Sequence, residues 1–329
     1  MPRGMDFVLE FERPLIELER RIDGLREIER ESGADLSGAI EQLRKQAERL
    51  LLQIFSDLSP WQRTQLSRHP GRPFTLDYIE GLCSEWTELH GDRAGHSDQA
   101  IVTGIARFDG RPVAVVGHQK GRNTRENLFR NFGMPRPEGY RKALRIMQMA
   151  DRFGLPILCF IDTPGAFPGV DAEMRGQAEA IARNIMEMST FRVPVISCVI
   201  GEGGSGGALA VGVGNRVLMM ENAVYSVITP EGCAAILWKS AEKAPAAAEG
   251  LKLTADSLIK FGIIDEIIPE PVSWTIGDDK KDKRGAAFDK IAASLKKSIV
   301  KALDELSKKD GRTLVRERYD KFRKMGEWV

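Results

Sequence analysis

The sequence predicts an α/β protein built from stacked strand–helix units, and three observations carry that prediction. An apolar segment recurs: Leu155-Pro156-Ile157-Leu158-Cys159-Phe160-Ile161 and Val193-Pro194-Val195-Ile196-Ser197-Cys198-Val199 align at a spacing of 38 residues. Each copy ends in a Gly- or Pro-containing turn that opens a helical pattern. Seven of the 32 glycines fall between Gly201 and Gly214. A repeat of this period marks units that stack on their neighbours rather than an open two-fold sheet. It also gathers the turns on one side, where a site can be assembled.

Composition narrows the class. The 329 residues are 42% hydrophobic and 29% charged, with 48 Lys+Arg against 47 Asp+Glu and a net charge of +1. That length allows two or three structural units around a sizeable core. The balanced charge argues against a whole-chain role on nucleic acid or on a membrane surface. No run of 18 apolar residues occurs, so no transmembrane helix is expected. The N-terminus, MPRGMDFVLEFERP, carries charge where a secretory signal needs an apolar stretch, so a cytoplasmic location is expected. Cys83, Cys159, Cys198 and Cys233 include no CxxC pair, and all four histidines precede residue 119. No zinc ribbon and no metal site are therefore expected in this chain. Cys159 and Cys198 lie in apolar runs and read as small hydrophobes.

The elements follow in order. Leu15, Leu18, Ile22 and Leu25, and then Leu36, Ile40, Leu43, Ala47, Leu50 and Ile54, form two heptad-like stripes either side of Ser32-Gly33-Ala34-Asp35. They predict a helical hairpin or docking arm. A Pro/Gly connector, His69-Pro70-Gly71-Arg72-Pro73, leads to a short helix expected near Leu76–Leu89. AIVTGIARF and RPVAVVGHQ flank Asp109-Gly110, a two-residue hairpin signal. A helix is expected from about Gly139 to Phe153, then the strand LPILCFID, the loop TPGAFPG and a helix from about Ala172 to Ser189. The strand VPVISCVI, the turn GEGGSGG and a short helix from Ala208 come next, then strands RVLMME and AVYSVI and a helix through Trp238. Asp278–Arg284 reads as a charged linker. Phe288, Ile291, Leu295, Ile299, Leu303 and Leu306 mark an amphipathic helix, with a shorter one near Leu314–Phe322. The expected division is a helical docking region over 1–97, a core over 98–271, and a charged linker with C-terminal helices over 272–329.

The glycine turn is the candidate site. It is not a P-loop, because no Gly-Lys-Ser/Thr follows, and it lacks the dinucleotide fingerprint with its acid. Gly203, Ser205 and Gly207 do match G-x-S-x-G. The strand–nucleophile–helix order needs a histidine after the serine, and none exists beyond His118. An order using His118 and Asp162 with Ser205 stays open, and defines a serine-hydrolase alternative. The reading preferred here uses backbone. Successive glycines at a helix N-terminus present N–H groups to developing negative charge, and Gly206 and Gly207 sit where such an oxyanion hole forms. One well-aimed donor is worth roughly 3–4 kcal/mol in the transition state.

FIDTPGAFPG, RGQAEAIARN, VIGEGGSGGALAVGVG, GHQKGR, NFGMPRPEGYRKALRIM and YSVITPEGCAAILWKSAEKAP together resemble the carboxyltransferase α subunits of bacterial-type acetyl-CoA carboxylase. The likeness spans about Phe7 to Pro271, including LERRID and HPGRPFTLDYI. It lapses in the tail and at Phe167, where a tyrosine is common in the family. The resemblance implies a crotonase-like spiral of stacked β/β/α units, flanked by the N-terminal hairpin and a C-terminal helical tail. It implies carboxyl transfer from carboxybiotin, borne on a biotin carboxyl carrier protein, to acetyl-CoA, giving malonyl-CoA for fatty acid synthesis. It further implies a zinc-ribbon-bearing β subunit, usually in an α2β2 assembly, and a biotin carboxylase that works with them.

By the same resemblance, the Gly206 and Gly207 amides serve the biotin carbonyl while the partner supplies the hole for the thioester enolate. Gly203, Gly204, Ser205, Thr163, Pro164, Gly165 and Phe167 then wall the biotin site. No side-chain base is assigned; Glu202 and Glu231 read as turn-stabilising or exposed carboxylates. Lys120–Arg145 holds eight Lys/Arg and two Asp/Glu, and suits CoA phosphates, an acidic carrier protein, or an ordinary solvated or intersubunit face. Met147 and Met149 read as core. A non-catalytic assembly scaffold, suggested by the N-terminal heptads, is the third possibility.

Overall fold

The computed structural model of the chain describes residues 7–270 and 285–326. Its centre is a mixed sheet of β1 (Cys83–Glu88), β2 (Ile101–Phe108), β3 (Arg111–His118), β4 (Ile157–Thr163), β5 (Val195–Gly204), β6 (Arg216–Met220), β7 (Val224–Ser226) and β8 (Glu266–Ile268). Their order is β1-β2-β3-β4-β5-β6-β8, with β7 on β5. The first two pairings are antiparallel and the others parallel.

The apolar repeat forms the middle of this sheet. Ile157 pairs with Val195 and Ile161 with Val199, so the two copies lie side by side in register. Every residue of β4 and β5 is buried, as expected of parallel strands covered on both faces. β5 then forks. Ile196–Val199 pair with β6, whereas Glu202–Gly204 pair with β7. The strand therefore exchanges one parallel partner for another just before the glycine turn. The hairpin at Asp109-Gly110 forms with φ of 50° and 75°, the left-handed pair that a type I′ turn requires.

Helices Pro137–Phe153 and Gln177–Thr190 pack together outside the sheet, and the Asn184 side chain donates to the Tyr140 carbonyl at 3.1 Å. Met147 is buried and Met149 packs against the core, as read. The N-terminal hairpin is present as Arg13–Ser32 and Ser37–Ser56. Its first helix ends on Gly33 at φ 68°, a left-handed cap that glycine adopts without strain. In the C-terminal helix Gly285–Leu306, the stripe from Phe288 to Leu306 is wholly buried. The charged linker Asp278–Arg284 lies outside the described residues.

Two expectations need correction. The segment Leu76–Leu89 is not one helix: Thr75–Leu82 is helical, and Cys83–Glu88 is the edge strand β1. Trp86 and Thr87 favour a pleated surface, and pairing with β2 overrides the local pattern. The helix expected over Ala172–Ser189 is broken into Val170–Met174 and Gln177–Thr190, because Gly176 stands at φ 86°.

Candidate functional site

Each glycine of the turn can be tested by asking what a methyl group would meet there. At Gly201 it would stand 2.3 Å from the Asp162 carboxylate, and at Gly203 2.7 Å from the Tyr225 ring. At Gly204 it would stand 2.1 Å from the Pro164 carbonyl oxygen, and at Gly207 2.7 Å from the backbone of Gly165. These four are glycine because other groups occupy the space. Gly206 differs: its nearest neighbours are two Ile181 carbons at 3.6 Å, an ordinary contact.

The helix starts earlier than the sequence suggested, at Ser205, and runs to Leu209 with Gly204 as its N-cap. Gly204 has no side chain to cap with. The N–H groups of Gly206 and Gly207, in the first helical turn, therefore have no intrahelical acceptor. Ser205 is exposed and held at φ 53°, an unfavourable value for a side-chain-bearing residue.

The TPG loop closes against this turn. Thr163 Oγ1 donates to the Gly165 carbonyl at 2.7 Å and accepts from its N–H at 3.1 Å. The space above Gly165 reaches Ser205 at 3.8 Å. Thr163, Pro164, Gly165, Gly203, Gly204, Ser205, Gly206 and Gly207 are thus brought into one cluster. Phe167 lies further along the loop, half-buried, with the Arg136 guanidinium 4.2 Å above its ring. Pro164, Gly203 and Gly204 also line a narrow cleft with Thr64, Arg68 and Thr229. Ser205 lines an apolar cavity of about 270 Å3 together with Leu209, Tyr225, Val227, Leu258 and Phe322.

Beside the turn is a set of charges, buried at Asp162 and Glu202, that sequence reasoning missed. Lys120 Nζ lies 2.7 Å from Asp162 Oδ1 and 2.8 Å from Glu202 Oε2. Arg68 reaches Glu202 at 2.6 Å and Glu231 at 2.5 Å. The Glu202 N–H donates to Asp162 at 2.9 Å. Glu202 is therefore a buried ion-pair member rather than an exposed carboxylate, whereas Glu231 stays partly exposed. Burial would raise the Glu202 carboxyl, but the Lys120 and Arg68 cations outweigh it and hold it below its ordinary value. Burial wins at Asp162, which is raised despite Lys120. Burial would lower Lys120, yet its two carboxylates leave it raised. The available signal was an acid at the end of each of two neighbouring strands, Asp162 and Glu202, with cations elsewhere in the chain.

The hydrolase arrangement is not formed. His118 is wholly buried, while Asp162 is committed to Lys120 and to the Glu202 amide. The basic stretch is largely satisfied internally. Arg122, Arg136 and Arg141 pair with Asp77, Asp171 and Asp92. Arg130, Lys142 and Arg145 donate to backbone carbonyls. Among the described residues no group of three or more His, Cys, Asp or Glu could hold a metal ion, and no helix is long and apolar enough to cross a membrane.

A forked strand that delivers an uncapped glycine turn, within stacked β/β/α units, places the chain in the crotonase-like fold class of the carboxyltransferases. Solved structures agree at the level of fold. The chain is similar to transcarboxylase 12S, crystallised with methylmalonyl-coenzyme A and methylmalonic acid, at 21% identity and a TM-score of 0.57, over 72% of this chain and 42% of that one. It is also similar to a chain of a Pseudomonas malonate decarboxylase hetero-tetramer in complex with coenzyme A, at 19% identity and 0.53, over 73% and 88%.

The sequence comparisons are closer. The family described as acetyl co-enzyme A carboxylase carboxyltransferase-like matches residues 8–326. The acetyl-coenzyme A carboxylase carboxyl transferase subunit alpha of Syntrophotalea carbinolica is 58% identical over 322 residues, 98% of each chain. Its namesake from a Geobacillus species is 54% identical over 324 residues, 98% of this chain and 96% of that one. The chain belongs to the acetyl-CoA carboxylase carboxyltransferase family.

Proposed function

We propose that this chain is the α half of a carboxyltransferase that moves a carboxyl group from carboxybiotin to acetyl-CoA, forming malonyl-CoA. Family membership at 58% identity over 98% of the chain supports the reaction. The uncapped turn at Gly206 and Gly207 is the observation that carries this chain's part in it. Bound biotin supplies the carboxyl group and accepts the charge left behind on its ureido oxygen. The Gly206 and Gly207 amides serve that charge, as preorganised donors that need no rearrangement during reaction. Gly203, Gly204 and Ser205 shape the approach. Thr163, Pro164 and Gly165 form the facing wall, with Phe167 as its apolar end.

The fit is physical. The turn has no side-chain cap, its neighbours leave no room for a side chain at Gly204 or Gly207, and Ser205 opens it to the surface. No side chain of this chain acts as base in this reading. The enolate of acetyl-CoA needs a second hole, which we assign to a zinc-ribbon β subunit. We further propose an α2β2 assembly, working with a biotin carboxyl carrier protein and a biotin carboxylase.

The experiment is a carboxyl-transfer assay on the assembly with its β partner, using a free biotin derivative. Gly206→Val should lower kcat by about 100-fold. Gly206→Ala, which has room, serves as the folding control. Unchanged turnover in an intact Gly206→Val assembly would remove the amides from the mechanism.

A further inference from the structure

Lys120 lies between GHQ and GR, in a motif to which the reading above assigns no role. Three features of its surroundings are unusual. Its ammonium is clamped between two carboxylates from adjacent parallel strands, Asp162 at 2.7 Å and Glu202 at 2.8 Å. Its stem runs against Gly133, where an added methyl would stand 2.7 Å from Lys120 Cγ. That close approach ends a run of three left-handed residues, Asn131 at φ 48°, Phe132 at 55° and Gly133 at 73°. Left-handed backbone is unfavourable for residues that carry a Cβ. Two of them in succession persist only where the surroundings hold them, and such strain gathers at functional sites. Here it sets the Gly133 backbone against the stem of Lys120.

The other end of the clamp is the glycine turn itself. Asp162 accepts the Glu202 N–H at 2.9 Å and fills the space over Gly201. Arg68 holds the second Glu202 oxygen at 2.6 Å. Both the peptide and the side chain of Glu202 are therefore fixed, and the Gly206 and Gly207 amides follow four and five residues later.

We infer that Lys120 is a positioning residue: by locking Asp162 against the Glu202 peptide it sets where β5 ends and so aims the Gly206 and Gly207 amides. It touches no substrate. The inference rests on the assignment of those amides to the biotin oxyanion. A misplacement of about 1 Å in such a site costs roughly 100-fold in rate, and losing the ammonium leaves two facing carboxylates free to separate.

The test uses the chain assembled with its β partner, a free biotin derivative and acetyl-CoA. Lys120→Met should lower kcat about 100-fold while KM for both substrates stays within about threefold, because the amides act on charge that develops in the transition state. Lys120→Arg, which keeps the cation, should recover most of that loss. Wild-type kcat in an assembled Lys120→Met protein overturns the inference, and so does a rise in KM with kcat unchanged, which would make Lys120 a binding group. Should Lys120→Met fail to fold, Glu202→Gln decides. It keeps the size of Glu202 but not its charge, and it leaves one acceptor oxygen where Lys120 and Arg68 now use two; the same loss confined to kcat is expected, and wild-type kcat overturns the inference. Gly206→Val, run in parallel, separates the two claims. Full turnover there sinks the amide assignment itself, whereas an impaired Gly206→Val beside an unimpaired Lys120→Met sinks only the role of Lys120.

Discussion

Adjacent glycines in the turn are under different constraints, and the difference is measurable. A methyl at Gly207 would stand 2.7 Å from the Gly165 carbonyl carbon and 2.8 Å from the Ala166 nitrogen. Neither can move without shifting the TPG loop, so Gly207→Ala should cost about 1–3 kcal/mol. Gly206→Ala should leave stability within about 0.5 kcal/mol. Thermal unfolding of the two variants checks this, and an equal loss in both would show that the turn is not packed as described. His118 offers a second residue-scale test. Burial pushes its imidazole down to about 3, although the backbone of Phe160 and Gly207 pulls the other way. Between pH 6.5 and 3 the unfolded chain binds a proton there and the native chain does not. His118 therefore makes stability fall with falling pH, by about 1.4 kcal/mol per unit. Urea unfolding between pH 7 and 5 should show a shallower dependence for His118→Gln. His69, which burial pushes down to about 4, contributes to both proteins and cancels in the comparison.

Among the elements, the C-terminal helix Gly311–Arg323 is held by buried Leu314, by the Lys321–Asp265 pair and by one buried arginine. Arg318 is buried and donates to the carbonyls of Met188, Phe191 and Val193 and to Asn215 Oδ1. Burial lowers its guanidinium to about 10, against the pull of Asp151. Because a hydrogen bond from a charged donor contributes more than a neutral one, Arg318→Met should cost about 3 kcal/mol or more. Limited proteolysis should then release the helix while the core persists; unchanged protection would show that Leu314 and its apolar neighbours suffice. The same scale explains the two misread elements. Both Thr75–Leu82 with β1 and the helix pair around Gly176 carry apolar patterns that local periodicity joins into one helix. The pairing of β1 with β2, and the left-handed φ of Gly176, break them.

Across the whole molecule, the N-terminal segment is part of the site's support. Arg72 is 1% exposed, and donates to the Ile200 carbonyl at 2.9 Å and to Glu270 at 2.8 Å. With Arg68 on Glu202, it pins the connector before Thr75 across the end of β5. Breaking a buried pair of this kind costs about 3–5 kcal/mol. A chain lacking residues 1–57 should therefore keep a cooperative unfolding transition by circular dichroism, whereas one lacking residues 1–74 should not. Cooperative folding of the shorter chain would show that the two arginines are dispensable. At the same scale, the purified chain alone should form no malonyl-CoA. Robust product without a second polypeptide would contradict a site shared between subunits.

The amino-acid sequence by itself determined the stacked strand–helix architecture, the hairpin at Asp109-Gly110 and the two amphipathic regions at the ends, and it marked the glycine turn on which we propose the chemistry centres. Each of these is encoded locally, by a 38-residue repeat, a left-handed dipeptide, a helical stripe or a run of glycines. Only the tertiary structure decided that β5 forks, that Cys83–Glu88 is a strand, and that four glycines are required by their neighbours while Gly206 is not. It alone assembled Arg68, Lys120, Asp162 and Glu202 beside the turn. These residues are spread over 135 positions, and the pairing of buried opposite charges depends on distance in space, which no local pattern records.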